Sequence, residues 1–181
     1  MTPKPEQISN ALPHIRYEIE SFLQTPDYDR SNKALEESVY FRKMAHCRAL
    51  HHFFKTEKNK RKDDDVLSVD FGFPAFDVYE ANSKEWSKRF NKDLMHLTYE
   101  RLNRTPNTKP WPMDELFPPV AKRSKEFINH ILTQYNGSMP DSERKLWERL
   151  KAEVDEKSPL QQNTSNVAAP TVSNLEFGRH S

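Results

Sequence analysis

Apolar residues recur every three or four positions through several stretches of the chain, and this period predicts α-helices. The first stripe covers about residues 7–25, and residues 1–6 are expected to precede it as a frayed leader. Its members are Ile8, Leu12, Ile15, Ile19, Phe22 and Leu23. Pro13 interrupts the stripe. Because proline is tolerated in the first turn of a helix, a start near Ala11 is the alternative.

A second apolar pattern predicts a helix over about residues 31–56, with Ser31 or Asn32 as its N-cap. Its apolar residues cover more than one face, which is typical of a helix in the centre of a bundle. The basic run Lys55–Lys62, with aspartates directly after it, predicts a solvated loop.

Three more helices are predicted, over about residues 82–104, 119–136 and 141–156. Asn82 or Ser83 would cap the first of them, and Gly137 would cap the C-terminus of the second. A short turn is expected at 114–117. Residues 66–81 alternate weakly like a strand, but a lone strand would have no partner. We therefore expect an aromatic-rich, irregular connection there.

These elements predict an all-α protein, a single-domain bundle of four to five helices over residues 1–157. Only three glycines occur in 181 residues, which is few for a sheet protein with many tight turns. Residues 158–181 are rich in Ser, Asn, Gln, Thr and Pro without periodicity, and this composition predicts a disordered tail.

The composition excludes some classes of function and weakens others. The net charge is +1, so no global field attracts nucleic acid, and any such contact would need a local patch. A single cysteine excludes a disulfide framework and a cysteine-based zinc site, and we expect Cys47 to be an inert core residue. No segment is apolar enough to span a bilayer. We expect a soluble, cytoplasmic protein without a cofactor or a metal.

The third predicted helix carries the main candidate site, Arg89 and His96. On a uniform α-helix a spacing of seven puts them on one face, about 10.5 Å apart. His96 would withdraw or return a proton near neutral pH, and Arg89 would offer a planar fork to phosphate oxygens. Asn91 and Asp93 would support them. The alternative is an Arg89–Asp93 surface salt bridge, with His96 packed at the edge of the core.

The second helix carries basic residues that would suit the same site. Arg42 and Arg48 would add positive charge for a phosphate or RNA if this helix packs beside the third. The alternative is that they are solvated or bridge helices. His46 and His51 lie nearby, but five positions on a helix do not make a good metal pair. Trp111, between two prolines, is expected to pack against the bundle.

The run R-F-N-K-D-L-M-H, from Arg89 to His96, resembles the R-x4–6-H signature of the HEPN superfamily. The overlapping segment N-K-D-L-M-H-L-T-Y-E-R, residues 91–101, resembles a segment of bacterial HEPN-like proteins. The resemblance implies a small α-helical bundle, with Arg89 and His96 as the active pair. It also implies that two copies face each other across a dimer cleft, and many members are RNase toxins.

Two functions follow from these patterns. The first is a HEPN-like, metal-independent RNase of toxin or defence type that uses the Arg89–His96 pair. The second is a non-catalytic helical module that dimerises, or binds an antitoxin or another protein partner. A shared scaffold does not decide between them.

Overall fold

The computed structural model describes residues 3–25, 29, 31–62, 64–94 and 111–156, with the side chains of Ala81 and Asp93 excepted. Five α-helices occur in these ranges. They are α1 Pro5–Leu23, α2 Lys33–Lys55, α3 Ser83–Arg89, α4 Met113–Gln134 and α5 Asp141–Glu156. The described residues contain no β-strand, so the all-α prediction is confirmed. No helix among them is long and apolar enough to cross a membrane.

Helix α1 starts at Pro5 and continues through Pro13, so the alternative start near Ala11 is wrong, as is a leader that reaches residue 6. Proline suits the first position of a helix because the N–H it lacks would have no partner there. Pro13 costs one backbone hydrogen bond. Burial of Leu12 and Ile15 on either side of it keeps the helix intact.

Helices α1 and α2 form an antiparallel pair. Asn32 is the N-cap of α2, and its side-chain oxygen accepts from the N–H groups of Ala34 and Leu35 at 3.1 and 3.2 Å. Farther along, His46 Nδ1 lies 2.7 Å from a carboxylate oxygen of Glu18 in α1. The predicted second helix is therefore confirmed, and of its two candidate caps, Ser31 and Asn32, the structure has Asn32.

Helix α4 begins at Met113, so the predicted start at Pro119 and the separate turn at 114–117 are wrong. Two adjacent prolines are a local signal for a helix boundary, yet Pro118 and Pro119 lie inside the helix. Leu116 is fully buried next to them, and its carbonyl accepts a hydrogen bond from Tyr79 Oη at 2.9 Å. Tertiary burial therefore overrides the local preference.

The C-terminal cap predicted at Gly137 is also wrong. Its backbone is not left-handed, whereas Gly72 has φ 70°. Helix α4 instead ends at Gln134 with Tyr135 as its C-cap, and the carbonyl of Tyr135 accepts from the N–H of Ser138 at 3.1 Å and from that of Met139 at 3.0 Å.

The connection between α2 and α3 is irregular and aromatic, as predicted. It contains short 3-10 turns at Ser68–Phe71 and Glu80–Asn82, and Gly72 ends the first of them. Phe71 and Phe73 are buried against the helices.

The core centres on Phe127 of α4, which is fully buried. Its ring contacts aromatic rings from α2, from the irregular connection and from α5. The centroid distances are 5.2 Å to Phe53, 5.8 Å to Phe71, 5.3 Å to Phe73 and 6.3 Å to Trp147. This cluster holds the first half of the irregular connection, at Phe71 and Phe73, against the bundle.

The α-helical part of the third element is shorter than predicted. Helix α3 ends at Arg89, and a π-helix over Phe90–Leu94 follows it. The prediction of an α-helix over about 82–104 is therefore wrong over Phe90–Leu94, and its part at residues 95–104 lies outside the described residues. The fifth helix is confirmed as Asp141–Glu156. The tail predicted at 158–181 lies outside the described residues.

Candidate functional site around α3

Arg89 lies in the last turn of α3 with only 6% of its surface exposed. Its guanidinium carbon lies 4.4 Å from the ring centre of Trp111 and 5.7 Å from that of Trp86. A guanidinium in contact with an aromatic face gains about 0.5–2 kcal/mol. Arg89 therefore stabilises the packing between α3 and the residue that precedes α4.

The π-helix changes the geometric argument for the Arg89–His96 pair. Its hydrogen bonds run from residue i to residue i+5, so the 3.6-residue period of an α-helix does not hold across Phe90–Leu94. The separation of about 10.5 Å on one face assumed a uniform α-helix. That assumption fails directly after Arg89. His96 and the side chain of Asp93 lie outside the described residues.

Asn91 and Arg48 are brought together. The Oδ1 atom of Asn91, in the π-helix, accepts from Arg48 Nη2 at 2.9 Å and from Arg48 Nε at 3.2 Å. The contact lies on the surface and joins the middle of α2 to the segment after Arg89. Two of the residues that the sequence placed in a phosphate site therefore touch.

Arg42 is on a different side of α2. Its Nη2 atom donates to Ser21 Oγ of α1 at 3.0 Å. Arg42 and Arg48 are six residues apart, which puts them about 120° apart around the helix. The structure therefore brings Arg48, and not Arg42, to the predicted site.

A buried polar network behind α3 was missed by sequence reasoning. His51 Nε2 donates to Asp77 Oδ1 at 3.1 Å, because a carboxylate can only accept. The backbone N–H of Tyr79 donates to the same oxygen at 3.2 Å, and Ser83 Oγ donates to Asp77 Oδ2. Residues this far apart in sequence carry no spacing signal that would have linked them.

Burial sets the protonation states in this network. It lowers the pKa of His51 to about 4, and the nearby charge of Lys55 acts in the same direction. His51 is therefore neutral at pH 7. Burial alone would raise the pKa of Asp77, but the hydrogen bonds that it accepts outweigh this effect and lower it. A charged carboxylate thus holds a neutral histidine.

Two other side chains extend the network. Lys55 Nζ donates to Ser87 Oγ, and burial lowers the pKa of Lys55. Cys47 Sγ lies 3.4 Å from Tyr79 Oη, and burial raises the pKa of the Cys47 thiol to about 12. Cys47 is fully buried, so its predicted place in the core is confirmed.

Two cavities lie elsewhere in the described part of the structure. One of about 110 Å³ lies between α1 and the Arg61–Phe71 segment, and one of about 360 Å³ lies between the start of α1 and Tyr135. Neither is lined by Arg89, Arg48 or Asn91. The described residues contain no group of three His, Cys, Asp or Glu side chains that could hold a metal ion.

Comparison of the chain with protein-family models, with curated proteins and with solved structures finds no match. The class of this protein therefore rests on its fold and its site. It is a helical bundle in which aromatic rings enclose an arginine.

Proposed function

We propose that this protein is a HEPN-like helical module that acts by binding another protein and does not cleave RNA. The enclosure of Arg89 supports this proposal. An arginine that stabilises charge on a scissile phosphate has to present its N–H groups to the substrate. Arg89 is only 6% exposed, and its guanidinium packs against Trp86 and Trp111. Its contribution is to folding.

A metal-independent RNase of toxin or defence type is the second candidate. The contact between Arg48 and Asn91 favours it, because a half-buried guanidinium lies directly beside the segment that follows Arg89. In this mechanism His96 moves the protons, and Arg89 binds the scissile phosphate. Asn91 and Asp93 would then support the pair.

Cleavage of total and transfer RNA in EDTA separates the two candidates. We would compare the wild type with His96→Ala and Arg89→Lys, with folding of each checked by circular dichroism. The proposal expects no cleavage by any of the three. Cleavage by the wild type that is lost in a folded His96→Ala variant would overturn it and establish the RNase.

The partner in this proposal is a second copy of the chain or a different protein such as an antitoxin. Light scattering on the purified chain distinguishes the two, because a homodimer doubles the mass without any addition. We also propose that the protein works in the cytoplasm, since a single buried cysteine suits a reducing compartment.

A further inference from the structure

A row of lysines follows the exposed side of α3 and the π-helix. Lys84, Lys88 and Lys92 are all exposed and are spaced four residues apart. Lys84 and Lys88 lie one turn apart on α3, about 6 Å along its axis, and Lys92 follows in the π-helix, next to Asn91 in the sequence. Glu85 is an exposed carboxylate within the row, and Asp93 follows Lys92 in the sequence. A protein with a net charge of only +1 thus concentrates positive charge on this side of α3.

Helix α2 borders this lysine row. The contacts of Lys55 with Ser87 and of Arg48 with Asn91 fix the two elements side by side. Phe41 lies seven residues before Arg48, about 20° away around α2 and about 10.5 Å along it. The side chain of Phe41 is 52% exposed. A large apolar side chain therefore lies on the same face of α2 as the arginine that contacts the π-helix.

We propose that the lysine row and Phe41 form a docking surface for an acidic amphipathic helix of a partner protein. Carboxylates of the partner pair with the three lysines, and an apolar side chain of the partner covers Phe41. This inference rests on the proposed protein-binding function and specifies the chemistry of the partner.

The chemistry of the surface favours an acidic protein over the phosphate backbone of a nucleic acid. Arginine matches the geometry of a phosphate with a planar fork of donors, whereas lysine is a hydrated point charge without that geometric preference. The Nε and Nη2 atoms of Arg48 both donate to Asn91, and Arg89 is enclosed by two indole rings. Glu85 repels a continuous polyanion but can pair with a basic residue of a protein segment.

The binding test uses the full-length protein and two probes. One is a synthetic helical peptide with a row of Glu and a row of Leu, and the other is a poly(A) RNA of equal charge. Fluorescence anisotropy at low and at physiological salt measures binding of each. We expect the peptide to bind more tightly than the RNA, and a peptide of the same composition in scrambled order to bind weakly.

Charge reversal locates the surface. The triple variant Lys84→Glu, Lys88→Glu, Lys92→Glu should bind the peptide about tenfold or more weakly, since each rim ion pair contributes only modestly. Phe41→Ser should weaken binding of the Leu-containing peptide but not of poly-L-glutamate. The control is Lys33→Glu, Lys122→Glu, Lys145→Glu. This second triple variant changes the net charge by the same amount as the first, at positions on α2, α4 and α5. It should bind the peptide as tightly as the wild type does.

Equal weakening by both triple variants, tighter binding of the RNA, or no binding of the peptide would overturn the docking surface. These failures are distinct from failure of the proposed function. RNA cleavage that depends on His96 overturns the proposed function itself, whereas a protein that neither cleaves RNA nor binds the peptide loses only this inference.

Discussion

The guanidinium carbon of Arg89 lies 4.4 Å from the ring centre of Trp111, so the end of α3 contacts a residue two positions before the start of α4. The indole ring of Trp111 also stacks on Phe90, with 5.5 Å between the centroids and 18° between the planes. One tryptophan thus contacts both the last residue of α3 and the first residue of the π-helix. Helices α3 and α4 are therefore joined here by Arg89, at the end of α3, and by Phe90 and Trp111, which lie outside the α-helical parts.

Trp111→Leu should lower the free energy of unfolding by about 2 kcal/mol, because both the stacked ring pair and the cation–π contact are lost. Trp111→Phe keeps an aromatic ring and should lose about half as much. Urea denaturation followed by far-UV circular dichroism measures both. An unchanged midpoint for Trp111→Leu would show that the tryptophan does not hold α3 to α4.

Phe127→Ala should destabilise the protein by about 3–5 kcal/mol, since it removes the ring on which the aromatic core converges and leaves a cavity. Phe41→Ala is the matched control. It deletes the same ring from a side chain that is about half exposed and should change stability by at most about 0.5 kcal/mol. Similar losses in the two variants would contradict the placement of the core.

Much of this fold could be predicted from the sequence. The apolar period located α2 and α5 closely, and Asn32 identified the start of α2, because the pattern and the cap are local signals. The irregular connection was also predicted, because a lone strand has no partner. The start of α4 was mispredicted because two prolines are a local signal for a boundary, whereas buried Leu116 and its bond from Tyr79 are tertiary.

The candidate site was harder to predict from the sequence, because its geometry depends on features that local sequence signals do not show. The spacing of Arg89 and His96 was interpreted with the geometry of a uniform α-helix, and a sequence carries no plain mark of a π-helix. The enclosure of Arg89 depends on Trp111, a residue beyond the end of the predicted helix. Arg48 and Asn91, by contrast, meet because α2 packs beside the third element, which was the condition under which Arg48 would join the site.

Cys47 should not react with a thiol reagent in the native protein. Its side chain is fully buried, and burial raises the thiol pKa to about 12, so very little of the reactive thiolate exists at pH 8. Titration with Ellman's reagent should give no colour in buffer and one thiol per chain in urea. Rapid stoichiometric reaction without denaturant would mean that α2 opens readily.

The stability of the protein should fall as the pH decreases from about 6.5 to about 4. Burial lowers the pKa of His51 from 6.5 to about 4 in the folded state, so within this window the unfolded chain binds a proton that the folded chain does not. The free energy of unfolding should therefore decrease by up to about 3 kcal/mol as the solution is acidified. Below this window protonation of Asp77 should lower the free energy of unfolding further, because the pKa of Asp77 is lower in the folded protein than in the unfolded chain.

His51→Gln tests the cause of this pH dependence, because glutamine can still donate a hydrogen bond to Asp77 but does not titrate. Urea midpoints measured from pH 7 to pH 4 should show a flatter profile for this variant than for the wild type. His52→Gln is the neighbouring control, since the side chain of His52 is 50% exposed, and it should keep the wild-type slope. A wild-type slope in His51→Gln would mean that other groups carry the acid sensitivity.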